Sequence, residues 1–397
     1  MEHKAHYCRS SQLKVGLVLR HFGRIGGLEK YGHRLAQAFV KKGVHVQIVT
    51  SGVIENSISH PLIHFQKIPV GKWPSFIQME EFDRSSRRWL ETRRCDVIFG
   101  MDRTRRQTHI RASNGVHRAF LKQQESINGY RALFKRAHLS PLNRTILNIE
   151  KKAFESPELK ILFTNSHMVK REILSYYKTP NKKIHVFHNG VEWNEMGKDF
   201  DQWLEKKPMI CKKLGLNPSS YHFLFIGNGF KRKGLRPLLE ALSVLPFEDF
   251  HLSVIGKDKN SVHFMKLAKH LGLADKVSFF GPCLDVRPFY QYGDALVIPS
   301  FYDPFANVTV EALAMGLFVV TSKTNGGCEI LKPENGVVIQ ELQDPHCLAE
   351  TLKTASLHPK TWIRSQNIRQ SVKYLDFSDQ LASIVDLTLG SIGRNST

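Results

Sequence analysis

Two carboxylates with seven residues between them, Asp303 and Glu311, mark the segment SFYDPFANVTVEALAMG. The pattern puts Asp303 in a loop and Glu311 about one turn inside the helix that follows. Capping accounts for Asp303 as readily as a ligand does. It does not account for a carboxylate inside the apolar run VTVEALAMG, where a buried charge must be paired or bound. Glu311 there can accept paired hydrogen bonds from ribose hydroxyls, and the amides of Phe305, Ala306, Asn307 and Val308 can face a phosphate or a sugar. A second cluster, GNGFKRKG from Gly227 to Gly234, sets Lys231, Arg232 and Lys233 between a strand end and a helix start. Cations beside open helix amides suit a diphosphate, against the plain alternative of a solvated basic loop. A third, Gly23, Gly26 and Gly27, gives the backbone freedom for a phosphate to approach a helix start, although a tight turn explains these glycines equally well.

Strands and helices must hold these groups in place. Leu13 to Arg20, the helical spacing from Glu29 to Lys41 and the strand Val44 to Thr50 form one βαβ unit, so a parallel sheet covered by helices follows. Strands at Asp96–Phe99, Lys160–Thr164 and Lys183–Phe187 continue the first series up to the Asn189-Gly190 turn. A second series opens with the strand Tyr221–Ile226 and runs through Leu252–Ile255, Val277–Phe280 and Ala295–Pro299 to Phe318–Thr321, with helices between. Two doubly wound, Rossmann-like α/β domains are therefore expected, residues 1–190 and 191–365, with a helical segment 366–397 crossing back to the first. Ligands of such sheets bind beyond the carboxyl ends of the strands, so facing domains would share a central cleft.

Composition narrows the partners. The 57 Lys and Arg exceed the 36 Asp and Glu by 21, an imbalance that points to nucleic acid, acidic membrane or phosphorylated metabolites. The six cysteines lack metal-ligand spacing and read as reduced thiols of a cytosolic chain without a signal-peptide pattern. No run approaches the length of a spanning helix. A nucleic-acid-binding protein is one alternative, but a helix-turn-helix, a paired-finger Cys/His spacing and an aromatic single-strand platform are all missing from the sequence. An NAD-dependent oxidoreductase is another. It would share the architecture, but HFGRIGG is not the GxGxxG fingerprint and the next strand lacks the usual ribose-binding acid.

In these residues the chain resembles the retaining glycosyltransferases of family 4, which have the GT-B fold, and within them the bacterial lipopolysaccharide core glucosyltransferases. The similarity runs from FGRIGGLEKYGHRLAQAFVKKGVHVQIVT through NSHMVKREILSYY and HNGVE to GFKRKG and EALAMGLFVV. The resemblance implies that Glu311 binds the donor ribose, that Asp303, where many members carry Glu, lies near the donor sugar, and that Lys233 binds the diphosphate. Asn228 stands where many members carry Arg, leaving charge neutralisation to Lys233 with Arg232 or Lys231. Gly26 and Gly27 match the glycine pair beside the donor phosphate, and His117 in RASNGVHRAFL matches an acceptor-side histidine, with Asp102 a further polar candidate after a strand end. A neutral imidazole there can orient an acceptor hydroxyl or stabilise charge near the anomeric carbon; a satisfied structural histidine is the alternative.

Implied with these is transfer of a hexose, from UDP-glucose above other donors, to a lipopolysaccharide core or related glycolipid, with no metal or other cofactor. Implied too is peripheral attachment at the cytoplasmic face of the inner membrane. The block from Arg103 to Arg144, with ten Lys or Arg against the single acid Glu125, suits an anionic surface, against an ordinary solvated helix as the alternative.

Overall fold

The computed structural model describes residues 13–22, 27–52, 60–128 and 140–392. The chain divides into two compact units: the described residues up to Phe187 together with those from Ser378 onward, and His188–Phe377.

The first unit is built on a seven-stranded sheet of order β3-β2-β1-β4-β5-β6-β7. Its strands are β1 (Lys14–Val18), β2 (His45–Thr50), β3 (Ile63–Lys67), β4 (Val97–Gly100), β5 (His109–Arg111), β6 (Ile161–Thr164) and β7 (Ile184–Val186), and every pairing is parallel. Helices on both faces bury strands such as β4 completely, and this is why they read as short continuous apolar runs. On one face Val18, Val49 and Ile98 pack against Phe82 and Leu90 of the helix Ser75–Arg93. From the far end of the chain, the helix Phe377–Gly390 buries Leu381, Ile384 and Val385, while Asp386 reaches Lys42 at 2.8 Å. The buried His109 contacts Ser391 Oγ at 2.9 Å, and burial, with the Lys160 charge adding to it, pushes its pKa down to about 3.

The second unit carries a six-stranded sheet, order β10-β9-β8-β11-β12-β13, again parallel in every pair. Its strands are β8 (Tyr221–Ile226), β9 (Phe250–Ile255), β10 (Val277–Gly281), β11 (Ala295–Ile298), β12 (Phe318–Ser322) and β13 (Gly336–Ile339). β8 and β11 are neighbours although two strands separate them in sequence, because the chain moves outward from β8 to β10 and then returns to the other side. That reversal is a topological switch point, the place beyond the strand ends where sheets of this kind bind ligands.

Hydrophobic periodicity misses β3, β5, β13 and the helix Ser75–Arg93. β3 buries only Ile63 fully, β5 is three residues long and two of its buried members are His109 and Arg111, and the helix carries charges along its outer face. Polar residues in buried or half-buried elements leave little apolar pattern to read.

One glycine fixes the approach of the two switch-point loops. Gly234, at φ +81°, has its α-carbon so close to β11's continuation that an added Cβ would lie 1.9 Å from the Pro299 carbonyl oxygen. Gly234→Ala is expected to destabilise the second unit by about 2–4 kcal/mol, from the left-handed backbone and the clash together. A urea unfolding midpoint equal to that of the wild type would contradict this.

Candidate functional site

The sharpest cluster of the second unit forms where β8 and β11 end. After β8 the chain turns through Gly227–Gly229 into one short helical turn, Phe230–Lys233, and then into the helix Leu235–Ser243. After β11 it runs through Ser300–Ala306 into the helix Asn307–Ala314. Lys233 Nζ and Arg232 Nη1 both meet Asp303 Oδ2, at 2.6 and 3.0 Å, and Arg232 also donates to the Tyr302 carbonyl at 3.0 Å. Lys233 and Asp303 are 7% and 6% exposed, so this is a buried ion pair with one more accessible arginine at its rim. Burial by itself would raise the Asp303 carboxyl, but the two cations and their hydrogen bonds outweigh it and hold the group below the usual carboxylate range.

A second loop braces the acidic one. Asp303 exchanges backbone bonds with Thr324 and Gly326, at 3.0 and 2.9 Å, and Asn325 accepts from the amides of Ala306 and Gly327 at 3.2 and 3.0 Å. Thr324 Oγ1 donates to the Ser300 carbonyl at 2.7 Å. Asn189 Nδ2 donates to the Phe305 carbonyl at 3.3 Å and to Asn307 Oδ1 at 2.5 Å. The amides expected to be open are thus partly committed: Ala306 N–H is taken by Asn325, and the first amide of the short turn, Phe230 N–H, by Asp258 at 2.6 Å. Asn228 accepts from Lys257 N–H at 2.7 Å, which ties the β8 loop to the one leaving β9.

Glu311 lies in the helix Asn307–Ala314, half-buried rather than buried, and Tyr290 Oη donates to its Oε2 at 2.8 Å. Tyr290 is wholly buried, and burial together with the Glu311 carboxylate drives its phenol pKa well up, so it stays a donor. Its backbone carbonyl receives Lys360 Nζ at 2.8 Å, and the Lys360 N–H and the Lys207 ammonium converge on Asp294, at 3.0 and 3.2 Å. Sequence reading misses Tyr290 because its partner lies in the next strand-helix unit and no local spacing links them. Arg232, Lys233, Asp303, Phe305, Ala306, Asn307, Val308 and Glu311 all fall on the two loops and the helix start at this switch point.

Three other sequence candidates sit in the first unit. Gly27 opens the helix Gly27–Lys41 after β1, while Gly26 lies outside the described residues. Asp102, beyond β4, accepts from the amides of Arg20 and Arg103 at 3.3 and 2.8 Å. His117 is buried at the start of the helix His117–Asn128; its N–H donates to the Glu150 carboxylate at 3.0 Å, and its Nε2 contacts Asn143 Oδ1 at 3.0 Å. Tyr177 Oη donates to the same Glu150 at 2.5 Å, and burial pushes the Glu150 carboxyl up in spite of those bonds. Glu150, with no flanking motif to announce it, joins Asp102, Arg103, Arg111 and Asn114 in lining a cavity of about 40 Å³ past the ends of β4 and β5.

Two family models match the chain in tandem: "Glycosyltransferase Family 4" over residues 25–194 and "Glycosyl transferases group 1" over 206–372. An uncharacterized glycosyltransferase, MJ1607 of Methanocaldococcus jannaschii, is 29% identical over 339 residues, 79% of this chain and 81% of its own. The lipopolysaccharide glucosyltransferase WaaG of Escherichia coli K12 is 22% identical, covering 95% of this chain and 99% of its own. A crystal structure of WaaG superposes with a TM-score of 0.79 over 95% of this chain and 100% of that one. Anabaena Alr3699/HepE, crystallised with UDP-glucose, superposes with a TM-score of 0.66 at 16% identity, over 96% and 100% of the two chains.

The buried pair has a pH signature. Because the Asp303 pKa is lowered by folding, its contribution is complete above an ordinary carboxylate pKa near ~4 and is lost as pH falls through the lowered value. Asp303→Asn strands Lys233, so it should cost about 3–5 kcal/mol at neutral pH and flatten the loss of stability below about pH 4. Urea midpoints measured against pH check it. Parallel curves for variant and wild type would contradict the assignment.

Proposed function

Because the chain belongs to the GT-B glycosyltransferases, matching family 4 through its first half and group 1 through its second, we propose that it transfers a glucosyl residue from UDP-glucose to a lipopolysaccharide core or related glycolipid, with retention. It is a nucleotide-sugar-dependent enzyme of the EC 2.4 class. The observation that carries this reading is the meeting of Lys233 and Arg232 with Asp303 at the switch point, with Glu311 on the helix that leaves the same loop. The UDP-glucose complex of HepE and the glucosyltransferase name of WaaG support the choice of donor.

In this reading Glu311 accepts hydrogen bonds from the ribose hydroxyls, with its carboxylate oriented by Tyr290. Lys233 and Arg232 meet the diphosphate, so the incoming phosphate oxygens take over two cations that the single carboxylate of Asp303 only half neutralises before the donor arrives. Asp303, released in part, faces the donor sugar. The bond from C1 to the phosphate oxygen breaks with its electron pair passing to UDP. The acceptor oxygen bonds to C1 on the same face, and its proton passes to the departing phosphate. The cations hold the growing charge on UDP. For the acceptor we assign His117, held by Asn143 and Glu150, with Asp102 beyond β4 as a second polar candidate.

No helix among the described residues is long and apolar enough to cross a membrane. The reading gives the chain a peripheral place at the cytoplasmic face of the inner membrane, supported by the involvement of WaaG in lipopolysaccharide biosynthesis and by the basic block Arg103 to Arg144. Residues 129–139 of that block, which include Arg131, Lys135 and Arg136, lie outside the described ones.

Two measurements test the donor site. Lys233→Met should weaken UDP binding roughly 10- to 100-fold, the weight of a charge-assisted contact, while leaving uridine affinity nearly unchanged. Equal losses for both ligands would assign Lys233 to folding alone. Glu311→Ala should lower UDP affinity by about tenfold or more, and Tyr290→Phe by several-fold, since it removes one hydrogen bond and leaves the carboxylate in place. Calorimetric titration that finds a folded Glu311→Ala protein binding UDP as the wild type does would remove Glu311 from the ribose site.

A further inference from the structure

The helix Ser75–Arg93 of the first unit has two unlike faces. Inward it buries Met79, Phe82, Asp83, Ser86 and Leu90, spaced three and four apart in the manner of a core-facing stripe. Outward, Ile77, Arg84 and Arg88 succeed one another at seven and four residues and so share the opposite stripe, with Arg87 beside them. All four are exposed, Ile77 by 38%. Just ahead of the helix stands Trp73, 57% exposed in the segment KWPS.

This tryptophan is held in place. Gln78 Nε2 donates to its carbonyl at 2.6 Å, and Gly71 N–H donates to Glu81 at 2.9 Å, so the helix grips the loop on both sides of Lys72. The indole lies directly over Gly71, where a Cβ would come within 2.2 Å of Nε1. A glycine is therefore required for the ring to sit where it does.

The charges are sorted as well. The helix has four acids, and each is engaged: Glu80 and Asp83 with Arg105, both at 2.6 Å, Glu91 with Arg106 at 3.0 Å, and Glu81 with the Gly71 amide. Arg84, Arg87 and Arg88 form no ion pair among the described residues. The outer stripe thus combines cations outside any ion pair, Arg84 sensing Glu80 only at longer range, with an indole and an isoleucine at one end. Soluble anions need only the cations. The apolar pair gains from a partner with an apolar interior behind an anionic surface, which describes a bilayer.

We propose that this face is a docking surface for an anionic bilayer, the helix lying in the interface plane with Trp73 and Ile77 entering the headgroup layer and Arg84, Arg87 and Arg88 meeting lipid phosphates. The inference rests on the peripheral membrane reading but assigns it to residues outside the basic block.

The test uses the full chain and vesicles of phosphatidylcholine with or without phosphatidylglycerol, at low and at high salt, with UDP binding as the check on folding. Wild type should co-sediment with the phosphatidylglycerol vesicles at low salt, and R84Q/R87Q/R88Q should bind them about 100-fold more weakly, from the surface attraction of each cation. Brominated phosphatidylcholine mixed into those vesicles should quench wild-type tryptophan fluorescence, and W73F should lose that quenching. Wild-type binding with a triple variant of equal affinity, or with quenching unchanged in W73F, overturns the inference and leaves the peripheral reading standing. Absence of wild-type binding overturns both. Arginine-dependent binding to single-stranded RNA with no binding to vesicles under the same salt assigns the face to nucleic acid and overturns it too.

Discussion

The arrangement of the second unit depends on one buried ion pair. Lys233 comes from the loop after β8 and Asp303 from the loop after β11, and their 2.6 Å contact spans the point where the sheet order reverses. A lysine and an aspartate removed from water cost several kcal/mol each in desolvation, so a pair of this kind is weak evidence for stability by itself. Its position is more informative. It leaves two cations and one carboxylate together at the switch point, a net positive set that suits a ligand supplying its own negative charge. Gly234 lets the two loops approach, and Asn325 and Thr324 fix the acidic loop from its far side.

The same economy governs Glu311. A half-buried carboxylate on an apolar helix requires a donor, and Tyr290 provides one from within the core. Tyr290 is in turn fixed through its carbonyl by Lys360, whose ammonium also lies 4.6 Å from the Trp203 ring and whose pKa burial pushes well down. The site is therefore supported from behind by a polar network that reaches the opposite end of the sheet, where Asp294 collects Lys207, His222 and Lys360. Such supporting contacts set how rigidly a functional carboxylate is aimed.

Much of this was legible in the sequence, and for physical reasons. Fully buried parallel strands such as β4, β8 and β11 are written as continuous apolar runs, so both doubly wound sheets could be counted in outline. The site motifs lie at strand-to-helix junctions, where glycines and cations interrupt those runs. Contacts that join different strand-helix units have no such record: Tyr290 with Glu311, Glu150 with His117, and Asn325 with Ala306 each connect residues that no spacing rule relates. Polar elements were equally silent. β5 buries His109 and Arg111, and the helix Ser75–Arg93 shows its arginines more plainly than its core stripe.

Whether the second unit's switch point receives a uridine diphosphate sugar, whose hexose the enzyme then passes on, decides the proposed reading. Thermal stabilisation and slow hydrolysis, measured across a panel of UDP- and GDP-sugars with NAD as a comparison, test it most directly. UDP-glucose is expected to raise the melting temperature most and to release UDP slowly in the absence of acceptor. Stabilisation by NAD in preference to every nucleotide sugar, with no release of nucleotide from any of them, would contradict it.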